Sequence, residues 1–215
     1  MLNDFLRSIK LTIWLFILCS IIYTFFIWGI GRIFFPFQAS GSIIYKNGKP
    51  AGSLLIGENF DSPYLFDSRP SSAGKGYEAD SSSASDNGPT NGSYIESVKK
   101  RIKNFLAENP SVKKGKIPVD LIAGSGSGLD PFISISGALA QIPRISKLTG
   151  INRARLKELV KSAVSYRDLG VFGTPGVNTV RLNFKLAASL KKVNSKIYAK
   201  VFKGLAGVES PAPND

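Results

Sequence analysis

The sequence predicts an α+β protein, with one N-terminal transmembrane helix followed by a mixed α+β extracytoplasmic domain. Three observations carry this. Residues 11–30, LTIWLFILCSIIYTFFIWGI, hold no charge for twenty positions, and at about 1.5 Å per residue they form a helix of about 30 Å, the thickness of a bilayer's hydrocarbon core. The residues beyond position 30 are numerous enough to enclose a core of their own. In that remainder, helical apolar stripes alternate with short β-branched runs.

The chain divides into a short cytoplasmic N-terminus (1–10), the transmembrane helix (11–31), the domain (32–190) and a basic, partly disordered extension (191–215). Lys10 and Arg32 flank the span, and Trp14, Tyr23 and Trp28 are the amphipathic aromatics expected at membrane interfaces. The apolar run exceeds the 7–15 residues of a signal peptide. The nearest cleavage-like tripeptide, Phe37-Gln38-Ala39, sets a Phe where a small residue belongs, so the segment reads as a retained anchor. Arg7 and Lys10 precede the span while Arg32, Lys46 and Lys49 follow it, so basic residues do not choose an orientation. The remainder from residue 31 has no cysteine, which fits an oxidising exterior, and the expected orientation has the N-terminus inside and the domain outside.

The formal charge is +13 and histidine is absent. Without histidine, Ser-His-Asp hydrolysis, Cys-His catalysis and His-ligated zinc are excluded for this chain alone. No nucleic-acid motif accompanies the basic charge, which instead suits anionic lipid or an acidic partner subunit.

Residues 42–56 read as a hairpin about Asn47-Gly48, a pair that tolerates the positive φ of a type I′ turn. Residues 57–91 have the polar composition of a loop, with six acids against two bases, but Phe60, Tyr64, Leu65, Phe66 and Tyr77 give it reason to pack on the domain. Ser93 and Glu96 fit a capping box for a helix over 93–109, with an apolar stripe of Ile95, Val98, Ile102, Phe105 and Leu106. Residues 117–122 read as a strand. The glycine-rich turn of residues 124–131, GSGSGLDP, then leads to a helix opening at Asp130-Pro131 or Ser134 and disturbed by Pro143. Asn152 caps a further helix ended by Gly170, VFGTPG is a turn, and 177–184 alternates enough for a strand. Beyond Leu190 the lysine-rich tail is either a basic amphipathic helix or a frayed extension.

The glycine-rich turn lacks the ending of a Walker A loop, the spacing of a dinucleotide fingerprint and the central Ser of a nucleophile elbow. No S-x-x-K spacing surrounds Ser125 or Ser127. No catalytic or metal-ligating residue is expected.

Six blocks in order, GSLLIGENF (52–60), SRPS (68–71), SDNGPTN (85–91), AGSGSGLDPFIS (123–134), AQIPRI (140–145) and DLGVFGTPGVNTVRLN (168–183), resemble the KdpC family, the C subunits of the Kdp potassium-transporting ATPase. The likeness covers roughly residues 8–187. It implies a noncatalytic accessory subunit in a bacterial or archaeal plasma membrane, a catalytic chaperone that stabilises the complex and raises the ATP affinity of the pump subunit. The implied partners are a channel-like potassium-binding subunit, a P-type ATPase subunit and a small single-span peptide. ATP and K+ are then handled by the complex, with no cofactor held directly by this chain. The DKTGT motif of P-type pumps is absent. Gln141 stands where the family has a glutamine proposed to touch nucleotide. An external domain has no ready access to cytoplasmic ATP, so a structural role is expected. The family commonly reads GLDPHIS and GQNF where this chain has Phe132 and Glu58. Docking candidates are Gly57, Glu58, Asn59, Phe60, Arg69, Pro70, Ser125, Gly126, Ser127, Gly128, Leu129, Asp130 and Pro131. The alternative function is a membrane-anchored solute-binding module.

Overall fold

A computed structural model describes residues 2–46 and 49–201 in two units divided at residues 43 and 44. In the first unit, helical backbone runs unbroken over Leu2–Phe34, long and apolar enough to cross a membrane. It comprises α1 (Leu2–Phe16), a π-helical segment (Ile17–Ile22) and α2 (Tyr23–Phe34). None of its residues is buried within the chain, as suits a helix whose apolar sides await lipid or other helices. The sequence carried no sign of the π segment, where hydrogen bonds widen to i→i−5. Tyr23 N–H donates to Leu18 O there, and Thr24 Oγ1 donates to Cys19 O at 3.4 Å. A short turn of helix follows, α3 (Pro36–Ala39). Arg32 lies over the Trp28 ring at 5.8 Å and donates to Ser40 Oγ at 2.7 Å.

The second unit is the domain. Strands β1 (Ile43–Lys46) and β2 (Lys49–Ser53) form a two-stranded sheet; the expected Asn47-Gly48 turn lies outside the described residues. The loop of 57–91 contains neither helix nor strand, yet Leu65 and Phe66 sit in the main core. Helix α4 (Gly92–Glu108) starts before the expected capping box. Asn91 is the cap, its side chain accepting from Tyr94 N–H at 3.1 Å, Ser93 donates to Asn91, and Glu96 pairs with Lys99 instead. Only Phe105 of its stripe is fully buried.

Residues 117–122 are not a strand. Two 3-10 turns, Lys114–Lys116 and Val119–Leu121, flank Pro118, which has no N–H for a ladder; Leu121 N–H closes back on Pro118 O. Strand β3 (Phe132–Ile133) then feeds α5 (Ile135–Thr149), capped by Ser134 and closed by Gly150 at φ 78°. Pro143 falls inside α5, and the helix continues for six more residues. Asn152 caps α6 (Arg153–Ser162) as expected. That helix stops well short of Gly170, because Val164–Ser165 (β4) pairs with Gly176–Asn178 (β5).

The strand expected over 177–184 is the largest correction. Only its first two residues belong to β5. Asn178 then accepts from Arg181 N–H and opens α7 (Thr179–Val193). The buried residues of α7 include Thr179, Leu182, Asn183, Leu186 and Leu190, a 3.6-residue period that the local alternation of VNTVRLNF masks. Each buried Leu contributes roughly 1.5–3 kcal/mol relative to exposure.

Strands β3, β5 and β4 form one antiparallel sheet in that order, with Ile133 and Val164 both opposite Val177. Its strands and α5, α6 and α7 share the core. Helix α8 (Ser195–Val201) sets Ile197, Tyr198 and Val201 against that core, so the start of the basic extension is helical. Its remainder lies outside the described residues.

Candidate functional site

Seven of the thirteen docking candidates, Arg69 and six residues of the glycine-rich turn, line one groove of about 640 Å³ together with Leu55, Ile56, Gly124 and Phe132. The glycine-rich turn is its wall. Gly57 N–H donates to Leu129 O at 2.7 Å, and a Cβ at Gly57 would stand 2.9 Å from Asp130 O. This approach requires a glycine. Gly128 has φ 69°, and a Cβ there would strike Ser83 O and stand 2.8 Å from Ala73 N. The long loop and the glycine-rich turn are therefore seated on each other, with Ser82 Oγ donating to Ser127 O at 2.9 Å.

Arg69 ties the groove together. Its Nη1 pairs with Asp130 Oδ2 at 3.0 Å, its Nη2 donates to Gly124 O at 3.1 Å, and Tyr77 Oη donates to Arg69 O at 2.6 Å. Burial, aided by the Asp67 charge, pushes the Tyr77 hydroxyl up to about 12, so it stays a donor. Asp130 Oδ1 accepts from Phe132 N–H at 2.9 Å. The Arg69 Nε is buried without a partner.

Other candidates fall outside the groove lining. Gly128 is buried beneath it, and the carbonyl of Pro70 would stand 3.1 Å from a Cβ on Gly124. Phe60 packs on the core and Asn59 is exposed. Glu58 turns over Gly52, where a Cβ would collide with its carboxylate. Burial raises the Glu58 carboxyl to about 6, against the lowering effect of a hydrogen bond from the Ser53 backbone. The GPTN segment lies at the entry to α4.

Gln141 belongs to a second constellation. It is fully buried; its Oε1 accepts from Asp67 N–H at 2.7 Å and from Arg144 Nη2 at 2.8 Å, while its Nε2 reaches Asp67 O and Gly137 O, each at 3.4 Å. Arg144, only 3% exposed at its side chain, also pairs with Asp67 Oδ2 at 2.8 Å and donates to Asn109 Oδ1 and Pro63 O. Burial lifts the Asp67 carboxyl to about 6, outweighing the opposing Arg144 charge, and Glu108 and Asp61 add to the lift. Asn183 completes the clamp by taking Phe66 N–H and giving its amide to Phe66 O, both at 2.9 Å.

Sequence reasoning named Gln141 but missed Arg144, Asp67 and Asn183. A signal existed. Gln141 and Arg144 share the i, i+3, i+4 stripe of Ala138, Ile142 and Ile145, where polar side chains must be satisfied from elsewhere in the fold.

Among the described residues, no group of three His, Cys, Asp or Glu side chains could hold a metal ion. One membrane-spanning candidate helix and an α+β domain whose groove is built from loops define a membrane-anchored α+β protein. The profile of the KdpC family, described as K+-transporting ATPase, c chain, matches residues 5–188. Relatives bearing the name Potassium-transporting ATPase KdpC subunit are 42% identical over 86% of this chain and 95% of the protein from Caldanaerobacter subterraneus subsp. tengcongensis. The corresponding values are 37% over 91% and 100% for Clostridium kluyveri, and 35% over 86% and 98% for Phocaeicola vulgatus. The chain belongs to the KdpC family.

Proposed function

We propose that this chain is a noncatalytic accessory subunit of an ATP-driven potassium-uptake complex. The observation that carries the reading is the family match across residues 5–188, which takes in both the candidate span and the domain. The absence of histidine and of a DKTGT motif from the sequence supports a noncatalytic role. In this reading the partners are a channel-like potassium-binding subunit, a P-type ATPase subunit and a small single-span peptide. ATP and K+ are bound by those chains, and this subunit stabilises the assembly and raises the ATP affinity of the pump subunit. The N-terminus is cytoplasmic and the domain extracytoplasmic, in the plasma membrane of a bacterial or archaeal cell.

Two parts of the chain hold the subunit in place. The span packs against neighbouring helices by close van der Waals contact. Gly29 suits that role, since a Cβ there meets nothing within 4 Å in the chain, whereas Thr24 already spends its hydroxyl on its own helix. The groove of Arg69 and the glycine-rich turn offers a rigid, loop-built docking surface. Gln141, buried with its amide engaged, orders the domain and does not touch nucleotide.

The test is co-expression with the remaining ATPase chains. Full-length protein is expected to copurify with them and to lower the KM for ATP relative to a complex lacking it. Removal of residues 1–35 should abolish copurification; survival of the intact complex would sink the docking role of the span, and an unchanged KM would sink the effect on ATP affinity.

A further inference from the structure

The turn joining β4 to β5 carries apolar side chains that the domain does not use. Among the described residues of the domain, five large hydrophobic side chains are more than 60% exposed: Val119, Tyr166, Leu169, Val171 and Phe172. Four of them lie within seven residues, with Leu169 at 90%. Single exposed apolar residues are ordinary, whereas a contiguous cluster marks an interaction surface.

The backbone of this tip is fixed from within. Asp168 and Phe172 exchange hydrogen bonds at 2.9 and 3.0 Å, Val171 N–H donates to Asp168 O, and Gly170 N–H to Arg167 O. Leu169 is held at φ 53°, a region that costs a non-glycine residue of order 1 kcal/mol. Its side chain repays nothing inside the domain. A pre-shaped tip loses little conformational freedom when it docks.

Charge narrows the partner. Residues 161–172 hold two bases, Lys161 and Arg167, and one acid, Asp168. Lys161 and Arg167 are exposed beside the strand, and Lys185 Nζ donates to Ser162 O at 2.7 Å at its root. We propose that the 166–172 tip is a preformed apolar plug that enters a recess rimmed by carboxylates on another chain of the ATPase complex. This rests on the accessory-subunit reading above and assigns its docking contact to a part of the domain separate from the glycine-rich groove. Aromatic and aliphatic anchors in a central recess, steered by complementary charge, are the usual carriers of interface energy.

The experiment is retention of the full-length chain on the co-expressed complex in detergent, with wild type measured first. Failure of wild type to copurify overturns the accessory reading itself. With wild type retained, the L169S/F172S variant is expected to be retained at least tenfold less while its thermal unfolding is unchanged, because both side chains lie in solvent. Wild-type retention of that variant overturns the plug. So does a loss seen only in nanodiscs of phosphatidylglycerol, which would assign the tip to lipid. The K161E/R167E variant should be retained severalfold less, with a flatter salt dependence; no change would remove the carboxylate rim from the proposal.

Discussion

Two loops of this domain invert what their composition advertises. The 57–91 loop is rich in Ser, Gly, Asn and Asp, yet it sends Leu65 and Phe66 into the core and has its backbone gripped by Asn183 and Gln141. The β4–β5 turn is short and apolar, yet its Leu169, Val171 and Phe172 face solvent. The difference lies in where each backbone finds its hydrogen bonds. The long loop has no ladder of its own and takes partners from side chains on α5 and α7, which draws it inward. The short turn closes on itself and is free to display what it carries. A loop's location follows from how its polar backbone is satisfied, and its side-chain composition follows from what it must then touch.

The comparison breaks most directly at matched phenylalanines. Phe66 is fully buried, so Phe66→Ala should cost about 3–5 kcal/mol through lost contact and cavity formation. Phe172→Ala should change stability by less than about 0.5 kcal/mol. Urea unfolding of the full-length chain, followed by hydrogen exchange of the domain, measures both. Equal costs would show that the turn is also part of the core.

The clamp is tested at Arg144. Arg144→Ala leaves Asp67, Gln141 and Asn109 short of a partner in a buried site and should cost about 3 kcal/mol. Asp67→Asn should cost less, because about a third of that side chain meets solvent. Amide exchange in residues 60–70 should rise for Arg144→Ala before the rest of the domain opens. Uniform acceleration throughout the domain would mean that the clamp does not act on the loop in particular.

These clamps mark the limit of what the residues disclosed in advance. The span, α5, α6 and the family resemblance were legible because apolar periodicity, Asn152 and the six sequence blocks are local signals. The meeting of Gly57, Arg69 and the SGSGLDP turn was partly legible, since their three blocks were named together, but its geometry depends on contacts across more than fifty positions. The α7 helix was hidden by local alternation between Val177 and Phe184. Its tertiary burial of Leu182, Leu186 and Leu190 overrides a strand-like opening. The Arg144–Asp67 pair spans 77 positions, beyond the reach of any spacing rule. VFGTPG was legible as a turn, whereas the exposure of its apolar side chains and the π segment carry no local signal.

Glu58 sharpens the picture at the entry to the long loop. Its carboxyl titrates at about 6 in the fold against an ordinary 4.5, so the folded state holds the proton more tightly than the unfolded chain. Its contribution favours folding most below pH 4.5, declines between 4.5 and 6, and is absent above that window, where the buried charge opposes folding. Glu58→Gln should therefore stabilise the domain above pH 6 by about 1 kcal/mol, the value expected after allowing for partial exposure, and flatten the loss between pH 4.5 and 6. Denaturation midpoints at pH 4 and pH 7.5 distinguish this from a general packing effect, which would shift both equally.

Leu169→Asn should have a small effect on the fold. Asn tolerates the left-handed region better than Leu, and removing a 90% exposed side chain takes away no contact within the domain. Stability should be unchanged or rise by up to about 1 kcal/mol, while retention on the ATPase complex falls. A gain in stability joined to a loss of assembly is the signature of a residue kept for a partner at the expense of its own fold. A stability loss above about 1 kcal/mol would instead show that Leu169 holds the turn in shape, and would return this loop to the same category as the long one.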